Sequence, residues 1–256
     1  MIKTLKENSR AGIHWTRSLN SCMPMKKVHH QRRKQTDAAR LTKKIDAIIR
    51  ILSKEYLNFE EPSVTKVSRT QDPFKVLISC LISLRTKDEV TYPASERLFA
   101  LAHTPEKMMQ LSTKQIEKAI YPAGFYITKA KRIKDISRVL VEQHHSKVPD
   151  TIDELLKLHG VGRKTANIVV TLAYNKNGIA VDTHVNRISN RLGLVKTKNP
   201  HETEFALMKI LPEKYWIIYN DLLVSHGQNT CRPISPFCSR CKIENYCEKV
   251  GVTLSR

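Results

Sequence analysis

The chain of 256 residues is poor in aromatic residues and lacks long apolar runs. Aromatics make up 6% of the sequence, which gives little support to a β-rich fold, because strands are enriched in these residues. No apolar run is long enough to span a membrane, and no apolar signal-peptide core is present. Alternating strand patterns and internal repeats are also missing. These absences predict an all-α protein without a membrane segment.

Acidic residues are scarce relative to basic ones. The sequence has 24 Asp and Glu against 44 Lys and Arg, a net charge of +20. A chain this basic is expected to bind a polyanion, and nucleic acid is the usual one. An acidic membrane surface is the alternative, but the positive charge is spread along the whole chain without a basic amphipathic anchor helix. Nucleic acid is therefore the first expected partner.

Residues 1–37 are basic, with sparse apolar residues that follow no period. This composition predicts a disordered basic N-terminal arm. Three explanations remain open: a DNA-tethering arm, an organelle transit peptide, or a segment upstream of a true start at Met23 or Met25. The missing apolar face disfavours the transit peptide.

Helical patterns dominate residues 37–174. An Asp72-Pro73 pair predicts the start of a buried helix that contains Cys80 as a small hydrophobe, and Ser112 with Gln115 predicts a capping box. A further helix is predicted over residues 128–145. Its charged residues are predicted to form a solvated face: Lys129, Lys131, Arg132 and Lys134.

A helical run over residues 151–158, with Asp150 at its predicted N-cap, leads into a glycine-rich hairpin. Gly160 and Gly162 permit a tight turn, since glycine tolerates positive φ and close backbone approach. The next helix is predicted to begin near Arg163, with its unpaired N–H groups at the hairpin. Such a helix start is suited to binding a phosphate.

Lys164 lies in the first turn of that helix, where the dipole favours anions. The dipole, the neighbouring Arg163 and partial burial all disfavour the ammonium form. A neutral lysine is a nucleophile that forms Schiff bases. A plain surface lysine is the simpler interpretation. Asp182 precedes a helix predicted over residues 183–192, where its simplest role is N-cap.

Four cysteines follow the spacing Cys231-x6-Cys238-x2-Cys241-x5-Cys247. Their segment is too short and too polar to form its own core, which indicates a loop stabilised by a metal. A zinc ion is the general default for four cysteines. Disulfides are the weakest alternative, since the pattern suggests a metal site in a reducing compartment.

The hairpin motif, residues 181–185 (Val-Asp-Thr-His-Val) and the cysteine spacing together resemble the endonuclease III family over about residues 39–249. Members are helix-hairpin-helix DNA glycosylase/AP lyases with an iron–sulfur cluster. The resemblance implies that Lys164 is the nucleophile and Asp182 the catalytic carboxylate. It also implies a [4Fe-4S] cluster, rather than zinc, on the four cysteines, and DNA backbone contacts at Gly160, Gly162 and Arg163.

Two further residues occupy positions that the family uses against the DNA duplex. Arg85 stands where a glutamine is common and can stack on or hydrogen-bond to an orphaned base. Phe125 stands where the family places an apolar wedge. A surface arginine and a core aromatic are the alternatives. His159 replaces the proline common in the family hairpin.

The resemblance implies two helical lobes with DNA between them. One is a bundle over residues 66–176 that contains the helix-hairpin-helix at residues 150–174, and the other is an iron–sulfur cluster domain formed by residues 38–65 and 177–256. The implied partner is double-stranded DNA with a damaged base or abasic site, bound by a monomer. A bacterial or archaeal protein would be cytoplasmic and a eukaryotic one nuclear or mitochondrial.

The predicted function is base excision repair by a bifunctional enzyme. It releases oxidised pyrimidines and nicks the strand by β-elimination through a lysine Schiff base. A monofunctional mismatch glycosylase is one alternative, but such relatives usually lack the lysine. A non-enzymatic iron–sulfur protein that binds DNA or senses redox state is the other, and the presence of both Lys164 and Asp182 disfavours it.

Overall fold

The computed structural model describes the backbone of residues 25–256 and the side chains of residues 37–256. Regular structure in this range is entirely helical, which confirms the predicted all-α class. None of the helices in the same range has the length and hydropathy that a membrane span requires. The α-helices are α1 (Met25–Tyr56), α2 (Ser63–Ser68), α3 (Pro73–Ser83), α4 (Asp88–Leu101), α5 (Pro105–Gln110), α6 (Thr113–Ile120), α7 (Tyr126–His144), α8 (Ile152–Lys157), α9 (Arg163–Ile168), α10 (Thr183–Arg191), α11 (Pro200–Met208) and α12 (Trp216–Asn229).

Two compact units divide the chain, Met1–Arg40 and Leu41–Arg256. Helix α1 begins at Met25, so residues 25–37 of the segment predicted to be disordered are helical. The reason is that Met25–Tyr56 contains neither Gly nor Pro, the two residues that most strongly interrupt a helix. The rest of the predicted arm lies outside the described residues.

Two hydrophobic clusters form the core of Leu41–Arg256. The first extends from Val64 to Ala180 and is built mainly from α2 to α9. The second joins the buried face of α1 to residues from Ile179 to Ile243. The chain passes between the clusters at residues 179–181, directly before α10. The division into domains at residues 66–176 stays a prediction.

Helix starts follow the predicted capping residues in most places. Asp72 accepts hydrogen bonds from the first turn of α3, and Ser112 with Gln115 forms the capping box of α6. The N-cap predicted at Asp150 is wrong: Thr151 caps α8. The Asp150 carboxylate instead accepts a hydrogen bond from Lys176 at 2.7 Å, which lowers its pKa. Threonine takes the cap because it lies directly before the first helical residue.

Candidate active site and cysteine cavity

The two glycines of the hairpin between α8 and α9 have different roles. Gly160 has φ +89°, a backbone conformation that is strained for any residue with a side chain. Gly162 is the N-cap of α9 and has no side chain to cap the helix. A Cβ atom on Gly162 would meet nothing within 4 Å. The start of α9 therefore has no side-chain cap and has open space beside Gly162, which leaves room for a phosphate group.

Lys164 and Asp182 come together across this site, although 18 positions separate them in the chain. The Lys164 Nζ atom lies 3.9 Å from the Asp182 Oδ2 atom. The other oxygen, Oδ1, accepts a hydrogen bond from the Val185 backbone N–H at 2.9 Å and so caps α10. The capping hydrogen bond fixes the carboxylate while Oδ2 remains directed at the lysine.

The pair lines an open cleft of about 470 Å³. This volume is within the range of about 300–1,000 Å³ found for ligand sites. Other polar residues of the cleft wall are Thr65, Arg85, Thr86, Asp88, His184, Asn220, Asp221 and Gln228. Burial lowers the pKa of His184, whose ring packs closely against Gly227. We therefore interpret His184 as a packing residue of the wall.

Arg163, which the family resemblance assigns to DNA backbone contact, forms an ion pair within the protein. Its guanidinium donates two hydrogen bonds to the Glu204 carboxylate, at 2.8 and 2.9 Å, and stacks on the Phe205 ring at 4.9 Å. Glu204 is only 3% exposed. The ion pair fastens α9 to α11 and compensates the charge next to Lys164. Sequence reasoning missed this partner because it lies 41 residues along the chain.

Arg85 and Phe125 lie on two loops that pack against each other, residues 84–87 and 121–125, here called the apex loops. The guanidinium of Arg85 lies 5.6 Å from the centroid of the Phe125 ring. Phe125 is 64% exposed, which excludes the alternative of a core aromatic. A Cβ atom on Gly124 would lie 2.5 Å from the Arg85 carbonyl oxygen, so glycine is needed where the loops touch.

Lys129 on α7 holds the apex loops in place through hydrogen bonds. The sequence spacing predicts a solvated face for Lys129. This prediction is wrong, because the residue is 4% exposed. Its ammonium donates hydrogen bonds to the carbonyl oxygens of Ile82 and Leu84, both at 2.6 Å, and to Thr86 Oγ1 at 2.7 Å. Burial lowers the pKa of Lys129 to about 8. The three acceptors use all three donors of the ammonium group.

Residues 231–247, here called the cysteine segment, surround a second cavity. Its wall includes Cys231, Cys238, Cys241 and Cys247. The only regular structure between the first and last of these is two short 3-10 turns, Cys238–Arg240 and Glu244–Tyr246. Side chains of the described residues do not place three or more His, Cys, Asp or Glu around a point that would suit a single metal ion.

Arg191, the last residue of α10, holds the cysteine segment in place. It is 8% exposed and donates to the carbonyl oxygens of Arg232 and Pro233, both at 2.7 Å. The same guanidinium lies 3.3 Å from the Cys231 sulfur. Sequence reasoning missed Arg191, since nothing local distinguishes it from other basic residues at helix ends.

The comparisons with known proteins agree with this geometry. A family model described as HhH-GPD superfamily base excision DNA repair protein matches residues 78–213. Endonuclease III of Thermotoga maritima is 50% identical over 177 residues, which cover 69% of this chain and 83% of the relative. The chain belongs to the endonuclease III family. It is a DNA glycosylase/AP lyase of base excision repair, as the resemblance predicts.

Solved structures of endonuclease III match the fold of this chain over most of its length. A trapped endonuclease III–DNA covalent intermediate, an estranged-adenine complex, matches with a TM-score of 0.71 and 31% identity, covering 81% of this chain and 96% of that one. A thermostable thymine-DNA glycosylase matches with a TM-score of 0.70, 23% identity and coverage of 81% and 96%. The second likeness shows the fold alone. Fold therefore does not distinguish the activities of these two proteins, and the side chains of the cleft must.

Proposed function

We propose that the chain is a bifunctional enzyme that uses Lys164 to release oxidised or ring-saturated pyrimidines and then to nick the strand. One observation carries the proposal: the Lys164 amine lies 3.9 Å from the Asp182 carboxylate in an open cleft of about 470 Å³. Asp182 is held by its capping hydrogen bond. A nucleophile and a fixed carboxylate are the two groups that glycosidic cleavage through a Schiff base needs.

The reaction begins when the damaged nucleotide leaves the duplex and enters the cleft. The Lys164 amine attacks C1′, and the C1′–N bond breaks with its electron pair going to the base. Asp182 stabilises positive charge on the sugar and accepts the proton that the lysine releases. The sugar ring opens to a Schiff base, a C2′ proton is lost, and the C3′–O bond breaks. Water then hydrolyses the Schiff base and frees Lys164.

Duplex DNA is the proposed partner, bound by a monomer. One solved structure that resembles this chain is an endonuclease III–DNA covalent intermediate, which supports both the partner and the covalent step. The backbone N–H groups at the start of α9, which no side chain caps, would bind a phosphate independently of the DNA sequence. Arg85 is exposed and lines the cleft, and the exposed Phe125 ring lies next to it, so the two are suited to fill the space that an extruded nucleotide leaves.

The cysteine segment is proposed to hold a [4Fe-4S] cluster through Cys231, Cys238, Cys241 and Cys247. The residues present fit this group, because all four cysteines line one cavity and follow the spacing that the family resemblance assigns to it. When bound, the cluster would join the four cysteines of a segment that has little regular structure. Arg232, Arg240 and Arg256 surround the Phe237 ring there, where they can meet phosphates.

Borohydride trapping tests the function. Purified protein is mixed with duplex DNA that carries thymine glycol and is reduced, and a covalent complex is sought on a denaturing gel. The wild type is expected to give the complex, and Lys164→Gln is expected to lower strand nicking by at least about 10³-fold. Duplex affinity of Lys164→Gln should persist, because the hairpin backbone is unchanged. Base release without a trapped complex would contradict the proposal and indicate a monofunctional glycosylase.

A further inference from the structure

The cleft contains a second carboxylate that the mechanism above does not use. Asp221 lies on α12 and lines the cleft together with Lys164 and Asp182. Thr65 Oγ1 donates a hydrogen bond to its Oδ2 oxygen at 2.9 Å, which joins α12 to α2. Within the described part of the chain, Oδ1 has no hydrogen-bond partner and the carboxylate has no ion pair. One acceptor oxygen of Asp221 is therefore available to a ligand.

Burial and neighbouring charges perturb the Asp221 carboxyl, which lines the cleft. Its pKa is raised to about 6, first by burial and then by the negative charges of Glu61 and Asp88. The Thr65 hydrogen bond and the positive charge of Lys164 act in the opposite direction. Asp221 and the nucleophile therefore interact across the cleft. At pH 7.5 the carboxyl is ionised and acts only as an acceptor.

Two polar neighbours of Asp221 in the same wall are engaged within the protein. Asp182 uses Oδ1 to cap α10, and the Asn220 amide donates to the Ala180 carbonyl oxygen at 2.8 Å. Lys164 must reach C1′, so the base attached to C1′ has to lie beside Lys164 in this cleft. Asp221 lines the same cleft as Lys164, so its free oxygen can meet a base extruded there.

We propose that Asp221 recognises the extruded base and that its Oδ1 oxygen accepts the N3–H of a ring-saturated thymine or uracil. The inference rests on the proposed function, since it assumes that a base enters the cleft with Lys164. Asp221 is then a residue of substrate selection: it contacts the leaving group and has no part in the chemistry at the sugar. A site built to pair with a substrate N–H discriminates against analogues that lack it.

The experiment separates base recognition from strand cleavage. Two duplexes are compared, one with dihydrouracil and one with a preformed abasic site, which has no base to recognise. Asp221→Leu removes the acceptor, and we expect kcat/KM for dihydrouracil release to fall about ten- to a hundredfold. Asp221→Asn keeps one acceptor oxygen and should give a smaller loss. Cleavage of the abasic site should stay within about twofold of wild type, because Lys164 and Asp182 are untouched.

Asp135→Asn is the matched control, since it removes the same charge from an exposed position on α7 that does not line the cleft. It should leave both reactions within about twofold of wild type. A second readout uses dihydrothymine methylated at N3: the methyl group should slow the wild type strongly and Asp221→Leu only weakly, as expected when the two groups contact each other.

Three outcomes would overturn the assignment. Equal losses on both duplexes would mean that Asp221 only supports the fold through Thr65. Unchanged dihydrouracil release in Asp221→Leu would mean that the base does not meet Asp221. A wild-type protein that cleaves the abasic site but releases no pyrimidine would refute base recognition alone, whereas failure to form a trapped complex on either duplex would refute the proposed function itself.

Discussion

The apex loops and the cysteine segment are two irregular parts of the molecule that are organised in a similar way. A single buried cation lies under each: Lys129 under the apex loops and Arg191 under the cysteine segment. Both cations donate to backbone carbonyl oxygens that have no partner in a helix. Buried carbonyl groups need such partners, because an unpaired one costs about 1–3 kcal/mol.

The two regions differ in whether protein contacts alone stabilise them. The apex loops close on themselves, since Lys129 uses all its donors and Thr86 Oγ1 also accepts from the Gly124 N–H at 3.1 Å. Their exposed side chains, Arg85 and Phe125, face outward. The cysteine segment instead directs four cysteines at a cavity. We infer that protein contacts alone hold the apex loops, whereas the cysteine segment also depends on the proposed cluster.

The largest expected effect comes from removing one cluster ligand. Cys238→Ser should lower the iron content and reduce the melting temperature by about 10 °C or more, because binding energy at such a site is folding energy. Hydrogen exchange should show lost protection in residues 231–247 and retained protection around Ile82 and Leu84. Cys80 is buried in the first hydrophobic cluster, away from the cavity, so Cys80→Ala is the control and should keep its iron. Loss of protection in both regions would remove the distinction between them.

Arg191→Met should have the next largest effect. It leaves two carbonyl oxygens and one sulfur without their donor, and we expect the free energy of unfolding to fall by roughly 2–4 kcal/mol. Urea unfolding of the iron-loaded protein measures the loss. The exposed Arg240 makes one longer hydrogen bond in the same segment, at 3.3 Å, so Arg240→Met should cost less than about 1 kcal/mol. Equal costs would show that the buried position of Arg191 is unimportant.

Lys129→Met should have the smallest effect on stability, about 1–3 kcal/mol at neutral pH, because burying the ammonium group offsets part of what its hydrogen bonds contribute. The pH dependence gives a sharper test. Between about pH 8 and pH 10.5 the unfolded lysine holds a proton that the folded one has lost, so its contribution to stability rises with pH.

The difference in unfolding free energy between wild type and Lys129→Met should therefore increase across this pH window. Lys131 is exposed on the same helix, and Lys131→Met should show no such trend. A pH-independent difference for Lys129→Met would mean that the ammonium form is not penalised by its burial. Phe125 should become more accessible in Lys129→Met, since the apex loops lose their support.

Local signals explain why much of the site is predictable from sequence. The glycines of the hairpin, the Asp182 cap and the cysteine spacing each depend on neighbours within a few positions. The pairing of Lys164 with Asp182 was expected from the family resemblance, and the structure places the two side chains 3.9 Å apart.

What sequence reasoning missed depends on partners far along the chain. Lys129 contacts residues 43 to 47 positions away, and Arg191 contacts residues about 40 positions away. Both resemble surface charges in a helical pattern, because the carbonyl groups that they satisfy leave no trace in the sequence. Asp221 is similar, since only the fold brings α12 beside Lys164.

The second hydrophobic cluster has a consequence for synthesis of the protein. The buried face of α1, at Ile45, Ile48, Ile49 and Leu52, packs against residues that begin only at Ile179. At about 5–20 residues per second, the ribosome needs roughly 6–25 s to travel from one to the other. During that time the first cluster can form while α1 presents an apolar stripe without a partner. The nascent chain should be most dependent on chaperones in this interval, before α10 to α12 emerge and cover the stripe.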